Sequence, residues 1–312
     1  MKQLIAFLLY GLIFTLPLSM QAASLNGFNL SNASVPIEQI MSGGPGKDGI
    51  PAILHPHFVS AKQASFMAAS DPILGIEIKG KYRAYPIKIL NWHEVVNDHI
   101  DGKRFIVSYC PLCGSGMAFS STVNNRHLTF GVSGLLYNSD VLLYDHQTES
   151  LWSQIKGAAV SGQFKGEILT QYPLTLTRWG KWQQQHPHTD VLSTHTGYQR
   201  NYQHDPYAGY SRTPRLYFPV ANQAPSIYSS KDTVMGYKGQ NGVIAFPFAE
   251  LRKQGKSQFT YRFEQQNLTI YWDDKIQSAH ITNHQGQELP STLLYWFAWY
   301  AFYPDTHIYK AR

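Results

Sequence analysis

Two blocks of this 312-residue sequence occur twice, in the same order, and a chain built that way is expected to fold as two related halves. Asp71-Pro72-Ile73-Leu74-Gly75 and Asp232-Thr233-Val234-Met235-Gly236 begin segments that align without gaps at an offset of 232 − 71 = 161 residues. Within them Ala84-Tyr85-Pro86 matches Ala245-Phe246-Pro247, and Leu90 matches Leu251. Further on, Trp179-x-x-Trp182 with Pro187-x-Thr189 matches Trp296-x-x-Trp299 with Pro304-x-Thr306, at an offset of 296 − 179 = 117. The second half is therefore shorter between its blocks by 161 − 117 = 44 residues. The divisions expected are a leader at 1–23, a loop-rich segment at 24–64, a first half at 65–195, a linker at 196–227 and a second half at 228–312.

The fold class expected is mainly β with short helices, α+β being the alternative, packed as one globular unit. Strand-like runs alternate with turns through 116–164, for example His127-Leu128-Thr129-Phe130-Gly131-Val132 and Val141-Leu142-Leu143-Tyr144. The best helix candidates are 175–186 and 291–302, each ending before a proline. Leu293 to Phe302 is very apolar but too short to span a bilayer, so a buried helix is expected. With 20 Tyr and 7 Trp, the chain suits a β-rich core or an aromatic ligand cleft.

The chain has two cysteines, Cys110 and Cys113, in Tyr109-Cys110-Pro111-Leu112-Cys113-Gly114. A mature chain of this size can bury an ample core without a disulfide, so the pair is expected to serve chemistry rather than bracing. Gly114-Ser115-Gly116 is too flexible to begin a stable helix, which places the pair in a tight turn rather than at a helix N-terminus of the kind that activates thioredoxin-type thiols. The spacing resembles the metal knuckle of rubredoxins and zinc ribbons, where Pro stiffens the loop and Gly takes φ > 0. One knuckle supplies two ligands, so further ones must be His, carboxylate or water.

His93 is the expected third ligand, since a hairpin through Asp101-Gly102 would bring the segment Asn91-Trp92-His93-Glu94 near the strand end that carries Cys110. Glu94 is the first candidate for a catalytic base, with Cys110 and Cys113 the other catalytic candidates. Trp92, Asp98, Asn138, His146, Glu149 and Trp152 are candidates to support the ligands or touch a substrate. Copper or zinc is the expected metal. The alternatives are a thiol–disulfide oxidoreductase served by a redox partner, with Cys110 attacking and Cys113 resolving, and a non-catalytic module whose tyrosine-rich cleft holds a sugar or peptide.

Lys2 followed by an apolar run from Leu4 to Leu18 and Ser19-Met20-Gln21-Ala22-Ala23 reads as a secretory signal, cleaved after Ala22 or Ala23. The mature chain is then expected in the periplasm or outside the cell, with no membrane contact after cleavage. Loss of Lys2 takes the formal charge from 26 − 20 = +6 to 25 − 20 = +5, with no Lys/Arg cluster, which argues against a nucleic-acid partner. The Gly-rich run 42–51 has Asp48 where a phosphate-binding loop needs Ser or Thr, so no nucleotide is expected. No haem is expected either, and a small molecule or metal ion is the expected ligand.

Several longer motifs carry a resemblance: Gly-Gly-Pro-Gly-Lys-Asp-Gly-Ile-Pro at 43–51, Ala-Tyr-Pro at 84–86, Asn-Trp-His-Glu at 91–94 and Tyr-Cys-Pro-Leu-Cys-Gly at 109–114. Phe-Gly-Val-Ser-Gly-Leu-Leu-Tyr-Asn-Ser at 130–139 and Thr-Glu-Ser-Leu-Trp-Ser-Gln at 148–154 belong to the same set. Together they resemble the DUF3179 family, a bacterial and archaeal group named for its unknown function, over roughly 35–310. The resemblance implies membership and brings no reaction, cofactor or catalytic residue with it.

Overall fold

The structure is a computed structural model that describes residues 23–311. The expected leader, 1–23, lies outside the described residues except for Ala23. The chain is mainly β, and five sheets of four or five strands are arranged as a five-bladed β-propeller. Among the described residues no helix is long and apolar enough to cross a membrane.

The first half opens with the antiparallel pair Pro72–Ile78 and Lys81–Pro86, which leads into helix α1, Ile87–His93. Strands Val95–Ile100, Lys103–Cys110 and Ser115–Ser120 follow as a meander. Gln171–Tyr172 extends that sheet beside Ser115–Ser120, Thr175–Arg178 returns to pair with Pro72–Ile78, and α2, Trp179–Gln185, leads to Asp190–Leu192, parallel to Lys81–Pro86.

The second half traces the same path. Thr233–Lys238 pairs with Val243–Pro247 and leads to α3, Phe248–Gln254. The meander Gln258–Phe263, Gln266–Asp273, Ser278–Thr282 carries Glu288–Leu289 on its far side. Ser291–Tyr295 pairs back with Thr233–Lys238, and α4, Trp296–Phe302, precedes His307–Ile308, parallel to Val243–Pro247. The first half differs by an excursion between Ser115–Ser120 and Gln171–Tyr172 that builds the fifth sheet.

The repeated residues meet alike in both halves. The ring of Trp182 covers Gly75 and that of Trp299 covers Gly236, each so closely that a Cβ on the glycine would overlap it. Trp182 Nε1 donates to Thr189 Oγ1 at 3.0 Å, and Trp299 Nε1 to Thr306 Oγ1 at 2.9 Å. The backbone N–H groups of Trp179 and Trp296 each reach the carbonyl of the matched aspartate, Asp71 and Asp232, at 2.8 Å.

Both helix candidates are trimmed at their starts. Residues 175–178 and 291–295 are strands, because pairing with Pro72–Ile78 and Thr233–Lys238 satisfies their backbone groups and suits β-branched Thr175, Thr177 and Thr292. Helices α1 and α3, unexpected from the sequence, start after Pro86 and Pro247, whose fixed φ suits a helix entrance.

Candidate functional site

The expected hairpin through Asp101-Gly102 forms, with φ of 47° and 78° at its two turn residues and Val95 opposite Ser108. Its second strand ends at Cys110, and the turn 111–114 leads into Ser115–Ser120. Gly114 has φ +63°, and a Cβ there would meet the Tyr295 ring at 2.9 Å, so glycine is required by both conformation and space. The Cys113 N–H reaches the Cys110 carbonyl at 3.2 Å, and the Cys113 carbonyl accepts the Tyr295 N–H at 2.8 Å, so the second half clamps the knuckle. From below, Gln154 bridges the flanking strands, donating to Ser108 Oγ at 3.0 Å and accepting from Ser115 Oγ at 2.6 Å.

A second hairpin delivers the third group. Phe130–Tyr137 and Asp140–Asp145 turn through Asn138 and Ser139, both at positive φ (52° and 66°). The turn is pinned by Asn138, whose Oδ1 accepts the Ala221 N–H at 2.8 Å and whose Nδ2 donates to the Ala301 carbonyl at 3.4 Å. It brings the Ser139 carbonyl to the thiols of Cys113, at 3.4 Å, and Cys110, at 3.9 Å. Ligand atoms of Cys110, Cys113 and Asp140 all lie within 4.8 Å of one another.

All three residues are sealed, at 1%, 0% and 0% exposure, and both cysteines are free. Asp140 Oδ2 accepts the Ile155 N–H at 3.0 Å, and the buried carboxyl also faces the Val141 N–H and the two thiols. Burial pushes the Asp140 carboxyl up to about 7 and raises both thiols, that of Cys113 well above its ordinary value. No lysine or arginine pairs with Asp140 among the described residues. Two thiols and a carboxyl, all acidic and all desolvated without a cation, are a donor set that suits a soft or borderline metal ion.

His93, expected as the third ligand, is engaged elsewhere. Its Nδ1 lies 2.8 Å from the Pro51 carbonyl and its Nε2 2.7 Å from the Tyr202 hydroxyl. The reason is local: α1 ends with Glu94 in the left-handed conformation (φ 56°), a kink between His93 and the strand that follows. Glu94 instead comes within electrostatic reach of Cys110 and Asp140. It is 6% exposed, its Oε1 accepts the Tyr207 hydroxyl at 3.4 Å, and burial pushes it up to about 8.

Glu94 lines a pocket of about 370 Å³ whose walls are apolar, among them Ile50, Leu112, Val132, Leu135 and Phe218. Leu112 lies inside the knuckle and Val141, also in the wall, follows Asp140, so pocket and sulfur centre share backbone. The linker is part of this wall through Tyr207, Tyr217 and Phe218. It is held down by Asn91 Nδ2 on Asp205 at 2.9 Å and by Trp92 Nε1 on the His204 carbonyl at 3.1 Å.

The other candidates lie outside the centre. Asp98 is buried in a pair with Arg83 and a hydrogen bond from the Tyr85 hydroxyl. Trp152 packs in the core with its Nε1 on Asp145 Oδ2 at 2.9 Å. His146 is exposed and stacks on Tyr144, while exposed Glu149 pairs with Lys47. Asp140, at the end of the polar turn Asn138-Ser139-Asp140, and Gln154, at the end of the motif 148–154, stand out from their polar neighbours only once the hairpins pack together.

A family model described as "Protein of unknown function (DUF3179)" matches residues 47–289, and the chain belongs to that family. No curated protein and no solved structure matches it.

Proposed function

We propose that Cys110, Cys113 and Asp140 hold a buried metal ion, zinc being the best fit, behind the wall of a small-molecule pocket in which Glu94 handles a proton. The observation that supports this most is the convergence of three buried acidic donors within 4.8 Å with no cationic side chain paired to them among the described residues. A divalent ion offsets the charge of two thiolates, and the carboxylate favours zinc over Cu(I). When bound, such an ion supplies Lewis acidity to whatever fills its remaining coordination position.

The residues around it have separate tasks. The Ser139 carbonyl and the Ile155 N–H orient the thiols and the Asp140 carboxylate. The apolar walls exclude water, which strengthens every electrostatic interaction inside. Glu94, raised to about 8, carries its proton at neutral pH and is suited to donate it to a molecule in the pocket. A dithiol that exchanges disulfides with a protein partner fits less well, because sulfurs at 1% and 0% exposure offer no line of attack.

The leader-like start and the cysteine economy support a periplasmic or secreted location. The shared element order of the two halves supports their origin by duplication. Metal analysis of protein purified without added metal, beside a Cys113→Ser variant, tests the centre: metal near one equivalent that disappears in the variant supports it, and a metal-free wild type refutes it.

A further inference from the structure

The two halves contact each other through two matched seams, one sealed and one open. Strand Ser115–Ser120 lies against Ser291–Tyr295, and strand Thr175–Arg178 lies against Ser278–Thr282. The residues lining the seams correspond at the repeat offsets: Gly75 with Gly236, Glu77 with Lys238, Thr175 with Thr292, Trp182 with Trp299. Even their polar links match, since Thr175 Oγ1 meets Glu288 Oε1 at 3.3 Å and Thr292 Oγ1 meets Gln171 Nε2 at 3.2 Å.

The first seam encloses only about 10 Å³. Ile155, from the excursion that the second half lacks, fills it, and Lys238 Nζ donates to the carbonyl of the adjacent Lys156 at 3.3 Å. With no counterpart of that plug, the second seam is a cleft of about 870 Å³, within the size range of ligand sites and at the junction of two units where such sites concentrate.

Its lining points to a class of ligand. Partly exposed rings of Tyr82, Tyr172 and Tyr271 contribute to its walls, backed by the buried Trp182 and Trp272. Tyr82 and Tyr271 are held in place by stacking on His186, at 3.9 Å between centroids, and on His280, at 4.5 Å. Charged residues among them balance, Lys79, Lys103 and Lys181 against Glu77, Asp273 and Glu288, so no net field selects a charged ligand. Flat apolar faces interleaved with donors and acceptors of both kinds match a polyhydroxylated chain, whose rings present C–H faces and whose rims present hydroxyls.

We propose that this cleft binds a neutral oligosaccharide. The cleft shares no lining residue with the cysteine centre, and its test is independent of metal content. The purified chain is titrated with chitohexaose, cellohexaose, maltohexaose and the anionic hexagalacturonate, followed by tryptophan fluorescence and calorimetry. At least one neutral hexamer is expected to bind saturably, and Tyr82→Ala and Tyr271→Ala should each weaken it roughly ten-fold. If a tyrosine variant fails to fold, Glu288→Gln, a change at an exposed position, should weaken binding in its place. No binding by any neutral hexamer, binding of hexagalacturonate alone, or binding untouched by the cleft substitutions overturns the proposal.

Discussion

Cys113 and Asp140 come from the ends of two different hairpins, yet a sulfur and a carboxylate oxygen lie within 4.8 Å of each other in a spot neither water nor a basic side chain reaches. The fold brings this about by packing the Asn138-Ser139 turn onto the knuckle, and it locks the arrangement with Tyr295 from the second half and Ala221 from the linker.

Asp140→Asn should separate ligand from scaffold. The amide oxygen can still accept the Ile155 N–H, so the hairpin is retained, whereas the anionic donor is lost. Zinc affinity, measured by competition with a chromophoric chelator, should fall by at least roughly 10–100-fold, by analogy with weaker perturbations of metal sites. Unchanged affinity would remove Asp140 from the ligand set.

Glu94 should make the metal-free protein less stable as pH rises. Its folded pKa of about 8 exceeds the ordinary 4.5, so the folded state holds a proton that the unfolded chain releases. The associated stability is fully present below 4.5 and is lost progressively as pH climbs through about 8. The loss is of the order of several kcal/mol for a group this buried. Urea unfolding in the presence of a chelator should therefore show a downward slope across that window, flattened in Glu94→Gln. Asp140, raised to about 7, adds to the slope at the lower end, and the variant isolates the Glu94 share.

Gly75→Ala and Gly236→Ala should cost alike, since each new Cβ overlaps the ring of the tryptophan above it. Overpacking of this kind costs about 1–3 kcal/mol. Denaturant unfolding of the two variants checks both the size and the parity.

Asp98 should matter for folding and not for metal. Removing Arg83 by Arg83→Met leaves a buried carboxylate with the Tyr85 hydroxyl and the His99 N–H but no cation, and stranding one member of a buried pair costs about 3–5 kcal/mol. The variant should unfold at lower denaturant with its metal content intact.

Much of this was legible in the residues. The gapless matches at offsets of 161 and 117 foretold segments that pack alike, and Asp101-Gly102 foretold the hairpin beneath the cysteines. The flexible Gly114-Ser115-Gly116 already places Cys110 and Cys113 in a tight turn, and the turn brings both sulfurs into one small volume. Proximity along the chain points to His93, whereas the αL kink at Glu94 leaves His93 on Pro51 and Tyr202 and brings Glu94 toward Cys110 and Asp140. Asp140 depends on a contact between hairpins that no local pattern encodes. The strands at 175–178 and 291–295 were hidden for a related reason: their partners are about a hundred residues upstream for one and sixty for the other.

The most direct test is the metal and thiol content of the purified chain, measured together on wild type, Cys113→Ser and Asp140→Asn. The account predicts close to one zinc per wild-type chain, two thiols that react only after the metal is removed, and little or no metal in Cys113→Ser. A wild-type protein free of metal, with its cysteines joined to each other or open to reagents at once, would contradict it.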